Sequence, residues 1–209
     1  MSILIVVIFV IFVIFILSVI GAVIYYKKKY WEKYINLTIF CSARDGISDG
    51  YKNITKTLIN MLDTKKFRII YGGDNGGLMT VVSDTWKGNI ISVNFNKFKT
   101  SNDNYLYNNI YDRQRKLIEL GNIYLVLPGG AGTLSELMDV VLFNEVSEDK
   151  DKKDIIIFNY NGIYDDLLKY FDDLKTKKFI DDNFLQQRKI IVYTKAEDIV
   201  QYLNNVVKK

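Results

Sequence analysis

The sequence predicts an α/β domain with a doubly wound parallel sheet, preceded by a single N-terminal transmembrane helix. Beyond residue 34, short β-branched or aromatic runs alternate with longer segments whose apolar residues recur at helical spacing. The short runs are almost continuously apolar, which is typical of parallel strands covered on both faces by helices. A chain of 209 residues has room for one such domain and an appendage.

The appendage is the uncharged segment 3–24, "ILIVVIFVIFVIFILSVIGAVI". At roughly 1.5 Å per residue it is long enough to span a hydrocarbon core of about 30 Å. No basic region precedes it and no small-residue cleavage site follows, so a signal peptide fits less well than an anchor. The flank 25–31 is aromatic and basic, which predicts that it stays cytoplasmic. We therefore expect residues 1–29 to form a single-pass anchor in a lipid bilayer, with a buried core helix as the alternative, and residues 30–209 to form a cytoplasmic catalytic domain.

The alternation of the two patterns gives the order of the elements. The predicted strands are 35–43, 67–73, 89–95, 123–130, 154–160 and 189–193. The predicted helices are 48–63, 77–86, 109–120, 133–146, 162–175 and 195–206. The polar, turn-rich stretch 96–108 is predicted to be a loop near a site.

Composition excludes several classes of function. The net charge is only +4, and Lys27–Lys29 supply much of it, so there is no basic stripe for a nucleic acid. The single cysteine, Cys41, excludes an intramolecular disulfide. Because the chain has no histidine, histidine-based triads and most zinc sites are excluded as well.

The stretch "LPGGAGTLSE", residues 127–136, carries the clearest sign of a site. It lies at the carboxyl end of a predicted strand, where ligands bind in such sheets. We expect Gly129, Gly130 and Gly132 to permit positive φ and a close approach of backbone N–H groups to a ligand. The next helix offers unpaired N–H groups and its positive dipole end, which suit a phosphate. A second glycine turn, "YGGDNGGLM" (71–79), is predicted to face the same crevice.

The residues alone leave other interpretations open. A P-loop would need a lysine after the glycines, and a dinucleotide fingerprint would need glycine where Ser135 stands. Thr133 and Glu136 also match a capping box, which would explain both without a ligand. Arg113, on the preceding helix, would by default be a solvated surface charge.

The decapeptide closely resembles the P-G-G-x-G-T-x-x-E motif of the Lonely Guy family, the cytokinin-activating phosphoribohydrolases. Similarity extends over about residues 37–185: "YGGDNGGLM" resembles the family's Y-G-G-G-x-x-G-L-M-G, and "IFNYNGIYDDLLKYFD" and "KKFI" resemble its segment after the fifth strand. By this alignment the family's Arg-Lys pair falls on Arg113 and Gln114.

The resemblance implies a Rossmann-like homodimer that hydrolyses the N-glycosidic bond of a nucleoside 5′-monophosphate, a cytokinin riboside monophosphate or an AMP-like nucleotide. The products are the free base and ribose 5-phosphate, and no metal or other cofactor is needed. Arg113 and Glu136 are the implied catalytic residues, with Glu136 stabilising an oxocarbenium-like sugar. The implied substrate- and phosphate-binding residues are Gly129, Gly130, Ala131, Gly132, Thr133, Gln114, Gly72, Gly73 and Gly76.

Several positions depart from the family pattern. Gln114 replaces the lysine, Asp74 and Thr80 replace glycines, Arg44 stands where small residues are expected, and Leu142-Phe143 replaces Thr-Trp. These departures motivate an alternative, a membrane-tethered module that binds a nucleotide without cleaving it, and a further one, a scaffold without a working site. Lysine decarboxylation, an older label for some members, would require a cofactor lysine beside a pyridoxal-phosphate cup, which the sequence does not display.

Overall fold

The computed structural model describes residues 2–206 and divides the chain into two compact units, Met1–Tyr34 and Ile35–Lys209. The first unit is one helix, α1 (Ser2–Glu32). Within it, Ile8–Tyr26 has a mean hydropathy of 3.1 and exposed side chains. Its length and composition would allow it to cross a membrane. A signal sequence or the core helix of a soluble protein can have the same length and composition. The side chains of residues 2–7, 27–28 and 30–32, including part of the predicted basic and aromatic flank, lie outside the described part of the chain.

The second unit contains a seven-stranded sheet in which each described strand pair is parallel, as predicted. The strands are β1 (Ile35–Phe40), β2 (Phe67–Tyr71), β3 (Ile90–Phe95), β4 (Tyr105–Tyr107), β5 (Ile123–Val126), β6 (Asp154–Phe158) and β7 (Ile190–Tyr193). Their order across the sheet is β4-β3-β2-β1-β5-β6-β7. The chain therefore builds outward from β1 to β4 and then returns to add β5 on the other side of β1. This reversal opens a crevice at the carboxyl ends of β1 and β5.

Helices cover both faces of the sheet. They are α2 (Asp49–Met61), α3 (Gly77–Thr85), α4 (Ile110–Leu120), α5 (Ala131–Val146), α6 (Asp165–Thr176), α7 (Phe184–Gln187) and α8 (Ala196–Val206). One apolar core contains residues of α2, α3 and α8, and the other contains residues of α4, α5 and α6. In β1, Leu37 and Ile39 enter the first core and Phe40 the second, so both faces of the strand are covered.

The segment 96–108 differs from the predicted loop. It contains a short 3-10 turn, Asn96–Phe98, and the edge strand β4, whose Tyr105 pairs with Val93 of β3. Three residues among polar neighbours are too few for a period of two to be recognised. The structure also adds two short elements that the sequence did not predict, the 3-10 turn Tyr160–Gly162 and α7.

Candidate active site

A cleft of about 320 Å³ lies at the carboxyl end of the sheet and is lined by loops that follow three of the strands. The loop after β1 contributes Cys41–Arg44, the turn after β2 contributes Gly72 and Asp74, and the start of α5 contributes Gly130–Thr133. The crevice predicted at this edge of the sheet therefore exists, and both glycine-rich segments reach it.

Arg113 of α4 and Glu136 of α5 meet at the wall of this cleft. Arg113 Nη1 donates to Glu136 Oε1 at 3.0 Å, and each residue is only 7% exposed. The arginine is held on its other sides, because Nε donates to the Val93 carbonyl at 2.8 Å and Nη2 to the Gly72 carbonyl at 3.2 Å. Its guanidinium also stacks 4.8 Å from the centre of the Phe95 ring. Arg113 is therefore an immobilised part of the cleft wall and not a solvated surface charge.

Burial controls the protonation of the groups at this wall. It raises the pKa of the Glu136 carboxyl, while the Arg113 guanidinium opposes that rise and Asp139 adds to it. Burial also raises the pKa of the Cys41 thiol, and the nearby Glu136 charge raises it further. Cys41 therefore remains a neutral thiol at neutral pH and is not an activated nucleophile.

The start of α5 provides unpaired backbone donors. Gly130 is the N-cap residue, and the first intrahelical bond runs from Leu134 N to Gly130 O at 3.0 Å. The N–H groups of Ala131, Gly132 and Thr133 precede that bond, and no side chain in the described part of the chain caps this end. Gly130, Ala131 and Gly132 are exposed to the cleft. Such a helix start in a sheet crevice binds phosphate and similar anions.

One part of the prediction for the glycines of this loop, the positive φ, is wrong. Gly130 has φ −97°, and Gly129 and Gly132 are likewise absent from the positive-φ glycines, which are Gly46, Gly73, Gly77 and Gly162. Space is the reason instead. A Cβ on Gly129 would collide with the Thr133 side chain, whereas a Cβ on Gly130 or Gly132 would meet no protein atom within 4 Å and would project into open space.

The capping-box interpretation is wrong. Because α5 begins at Ala131, Thr133 is the third helical residue and not the N-cap. Its side chain is buried against Gly129. The Glu136 carboxylate does not reach back to the cap but pairs with Arg113.

The second glycine turn mainly shapes the wall of the cleft. Gly72 lies beside Arg113 and Met79, and a Cβ there would come within 2.7 Å of the Met79 methyl carbon. Gly73 has φ +80° and packs against Asn94. Gly76 packs so closely on the Ala43 carbonyl that no side chain fits. Of these three predicted substrate-binding glycines, only Gly72 lines the cleft.

Gln114 points away from the cleft. Its Nε2 donates to Ser135 Oγ at 3.0 Å, and it lines a separate hollow with Arg115, Asp139 and Lys153. Arg44 and Asp74, two other departures from the family pattern, do line the cleft.

Sequence reasoning missed a group of cleft residues that lie apart from the glycine motifs: Asn94, Phe95 and Phe98. Their only sign in the sequence was the proximity of the turn-rich stretch after the third strand. Within residues 2–206, no group of three or more Cys, Asp or Glu side chains is arranged to hold a metal ion.

The doubly wound sheet, with helices on both faces and a crevice where its strand order reverses, defines a Rossmann-like α/β protein. The profile of the family described as "Possible lysine decarboxylase" matches residues 72–203, more than half of the chain, and the chain belongs to this family. The family resemblance inferred from the motifs is thereby confirmed.

Curated relatives of this chain are named as phosphoribohydrolases. The cytokinin riboside 5′-monophosphate phosphoribohydrolase LOG5 of Arabidopsis thaliana is 26% identical over 184 residues, which cover 82% of this chain and 78% of that protein. The enzyme of the same name from Rhodococcoides fascians is 24% identical over 156 residues, covering 69% and 78%.

Solved structures share the fold at lower identity. The molybdenum cofactor carrier protein of Chlamydomonas reinhardtii superposes with a TM-score of 0.59 at 12% identity, covering 84% of this chain and 99% of that one. DNA processing protein A of Helicobacter pylori gives 0.56 at 14% identity, covering 85% and 83%. Identities this low support the fold alone.

Proposed function

We propose that this protein hydrolyses the N-glycosidic bond of a nucleoside 5′-monophosphate, releasing the free base and ribose 5-phosphate. The observation that carries the proposal is the buried Arg113–Glu136 pair, 3.0 Å apart, in the same cleft as the unpaired N–H groups at the start of α5. The start of α5 can bind the negatively charged phosphate of the substrate. The Glu136 carboxylate, on the same helix, can stabilise the positive charge that develops on the sugar. The names of the curated relatives support the same reaction.

The 5′-phosphate would bind the N–H groups of Ala131, Gly132 and Thr133. The ribose would then extend toward Glu136, which is about one turn further along α5. When the bond from C1′ to the base nitrogen breaks, its electron pair leaves with the base, which takes up a proton. The sugar becomes oxocarbenium-like, and the Glu136 carboxylate stabilises it in a site of low dielectric. Water then adds to C1′ and releases a proton, giving ribose 5-phosphate.

Arg113 would keep Glu136 ready for this role. A guanidinium has five N–H donors. Three of those of Arg113 donate to Val93, Gly72 and Glu136. The remaining donors lie at the cleft wall, where a substrate hydroxyl can accept from them. Because the guanidinium favours the ionised carboxylate, it opposes the neutralisation that burial alone would cause.

A nucleotide-binding module that does not cleave its ligand is the second candidate. The observation that favours it is Asp74, which lines the same cleft as the anion site, because a carboxylate at this position would repel a phosphate or displace the substrate from a reactive position. Affinity for nucleoside monophosphates with no release of base would identify this second function.

We also propose that residues 3–24 anchor the protein in a lipid bilayer as a single pass, with the catalytic domain on the cytoplasmic side. The hydropathy of Ile8–Tyr26 and the following Lys27–Lys29 support this arrangement. By family resemblance we propose a homodimer. Light scattering from the detergent-solubilised chain, corrected for bound detergent, would report its mass, and a monomer at micromolar concentration would contradict the dimer.

The full chain, purified in detergent, provides the test of the reaction. It would be incubated with a panel of nucleoside 5′-monophosphates while chromatography follows free base and ribose 5-phosphate. Glu136→Gln is the inactivating variant, and Glu197→Gln, an exposed position on α8, is the matched control. Release that persists in Glu197→Gln and disappears in Glu136→Gln supports the hydrolase, and equal release from both variants would overturn it.

A further inference from the structure

Phe98 presents an aromatic ring to the cleft that the protein itself leaves partly uncovered. The residue ends the 3-10 turn Asn96–Phe98, lines the cleft and is 47% exposed. A large apolar ring in a concave site is favourable when a ligand covers its face. The uncovered part of the Phe98 ring suits a ligand with a flat apolar surface.

Asn94 fixes the backbone that carries this ring. It is only 1% exposed, at the carboxyl end of β3. Its Nδ2 donates to the Phe98 carbonyl at 2.9 Å and to the Gly73 carbonyl at 3.0 Å, and it lies 3.3 Å from Asp103 Oδ2. Its Oδ1 accepts from the Phe95 N–H at 2.8 Å. One buried amide therefore ties the aromatic turn to the glycine turn that borders Arg113.

The far side of the turn is held as well. Asp103 Oδ2 accepts from the Thr100 N–H at 2.6 Å. Ser92 and Asn104 exchange two hydrogen bonds, of 2.9 and 3.0 Å. A segment that is polar in sequence is thus attached to β3 at several points, so the fold sets the position of the Phe98 backbone.

The ring stands next to the catalytic pair proposed above. Phe95 and Phe98 meet edge to face, with centroids 6.3 Å apart and planes at 80°. The Arg113 guanidinium stacks on Phe95 at 4.8 Å. Met79 continues the apolar surface beside Gly72. A ligand held by its phosphate at the start of α5 and by its ribose near Glu136 has this surface available for its third part, the base.

We propose that Phe98 is a specificity-determining residue that binds the base of the substrate by stacking, and that Asn94 is the positioning residue that holds Phe98 in place. This inference rests on the proposed function, since it assigns the remaining part of that substrate. A purine offers a larger face to the ring than a pyrimidine, so Phe98 should contribute more to the binding of a purine nucleotide. Neither glycine motif contains these two residues, and neither belongs to the start of α5, where the phosphate is proposed to bind.

Calorimetric titration with AMP, UMP and ribose 5-phosphate tests the base contact without turnover when the detergent-solubilised full chain carries Glu136→Gln, and this inactive chain is the parent for the variants below. Loss of one base–aromatic stack is worth about 1–3 kcal/mol, so Phe98→Ala should weaken AMP binding about 5- to 150-fold. Ribose 5-phosphate, which has no base, should bind the variant and the parent equally. AMP should bind the parent more tightly than UMP, and Phe98→Ala should reduce that difference, whereas Phe98→Trp should retain it.

The control is Phe179→Ala, which removes a 75% exposed phenylalanine from a hollow elsewhere on the domain. Equal loss of AMP and ribose 5-phosphate affinity in Phe98→Ala, or no loss of either, would overturn the base contact, as would a parent chain that binds ribose 5-phosphate but not AMP. The hydrolase is judged separately by base release. If no base is released while AMP binding still depends on Phe98, the base contact stands and the hydrolase fails.

The positioning role of Asn94 is tested by coupling. Asn94→Ala should weaken the binding of AMP but not of ribose 5-phosphate. In the double variant with Phe98→Ala, it should cause little further loss of AMP affinity, because both substitutions act through the Phe98 ring. Should Asn94→Ala fail to fold, Asp103→Ala removes the acceptor at the other end of the same contacts and should have a smaller effect of the same kind. Additive losses in the double variant, or an unchanged AMP affinity in a folded variant, would show that Asn94 does not act through Phe98.

Discussion

Arg113 and Glu136 are 23 positions apart in sequence, yet their side chains meet at 3.0 Å in a buried contact. The helix that carries Arg113 precedes β5, and the helix that carries Glu136 follows it, so both pack on one face of the sheet. A buried ion pair contributes little to stability by itself, because removing both charges from water is unfavourable. A role in function therefore explains the position of the Arg113–Glu136 pair on a cleft wall better than a role in stability does.

The first prediction concerns the separate roles of these two residues. Glu136→Gln keeps the shape of the side chain and removes its charge, so base release should fall by a factor of about 100 or more. Arg113→Ala leaves a buried carboxylate without a partner and should lower the free energy of unfolding by about 3–5 kcal/mol. Activity assays and urea unfolding measure the two effects. A fully active Glu136→Gln variant would show that this carboxylate does not take part in the reaction.

The second prediction concerns pH. Since burial raises the pKa of Glu136 and the reaction needs the carboxylate, the rate should fall on the acid side with a midpoint above the ordinary value of 4.5. The contribution of Glu136 to stability has the opposite sign. With the raised pKa, the folded state holds the proton more tightly than the unfolded state, so this contribution falls as pH rises from 4.5 through the folded-state pKa.

A pH–rate profile of the parent and unfolding curves of the parent and Glu136→Gln between pH 4 and 8 measure both effects. Asp139, whose carboxyl pKa burial also raises, requires Asp139→Asn as a control. An acid limb that persists unchanged in Asp139→Asn assigns the titration to Glu136. A limb that disappears with Asp139 would contradict the assignment.

Local patterns predicted most of the fold but not all of it. The strands 67–73 and 154–160, with their apolar runs and glycine or polar boundaries, lie where they were predicted to within about two residues. The edge strand β4 was missed because it has three residues, and its pairing with β3 depends on side chains such as Ser92 and Asn94. Tertiary contacts of this kind leave no period in the sequence.

The site was predictable where a motif places its parts close together in sequence, and where glycine turns follow parallel strands of one sheet. The glycine loop and Glu136 lie in one decapeptide, so their proximity follows from the spacing. The assignment of Arg113 to the site came from resemblance, because no local rule joins two helices on either side of a strand. The reason for the glycines was predicted only in part: steric contact with Thr133 and open space toward the ligand decide these positions, and the predicted positive φ does not occur.

The third prediction distinguishes the glycine that avoids a steric contact with Thr133 from the glycine that leaves space for a ligand. Gly129→Ala places a methyl group against the buried Thr133 side chain and should destabilise the domain by about 1–3 kcal/mol. Gly132→Ala meets no protein atom within 4 Å, so stability should not fall, but the methyl group should obstruct the anion site. Thermal unfolding and titration with ribose 5-phosphate measure these effects, with Gly50→Ala of α2 as the control. Unchanged ligand affinity in Gly132→Ala would argue against phosphate binding at the start of α5.

The fourth prediction concerns the N-terminal helix. If α1 is a membrane anchor, the full chain should stay with membranes after alkaline carbonate extraction, whereas a chain that begins at residue 30 should be released to the soluble fraction. Replacing two central residues, Phe12 and Phe15, with aspartate should also release the full chain, because an aspartate near the centre of the bilayer costs about 2.5–3.5 kcal/mol. Replacing the same two residues with leucine is the matched control and should retain it. Protease protection in sealed vesicles then reports the side, and a domain sheltered from protease added to the cytoplasmic face would refute the orientation that Lys27–Lys29 predict.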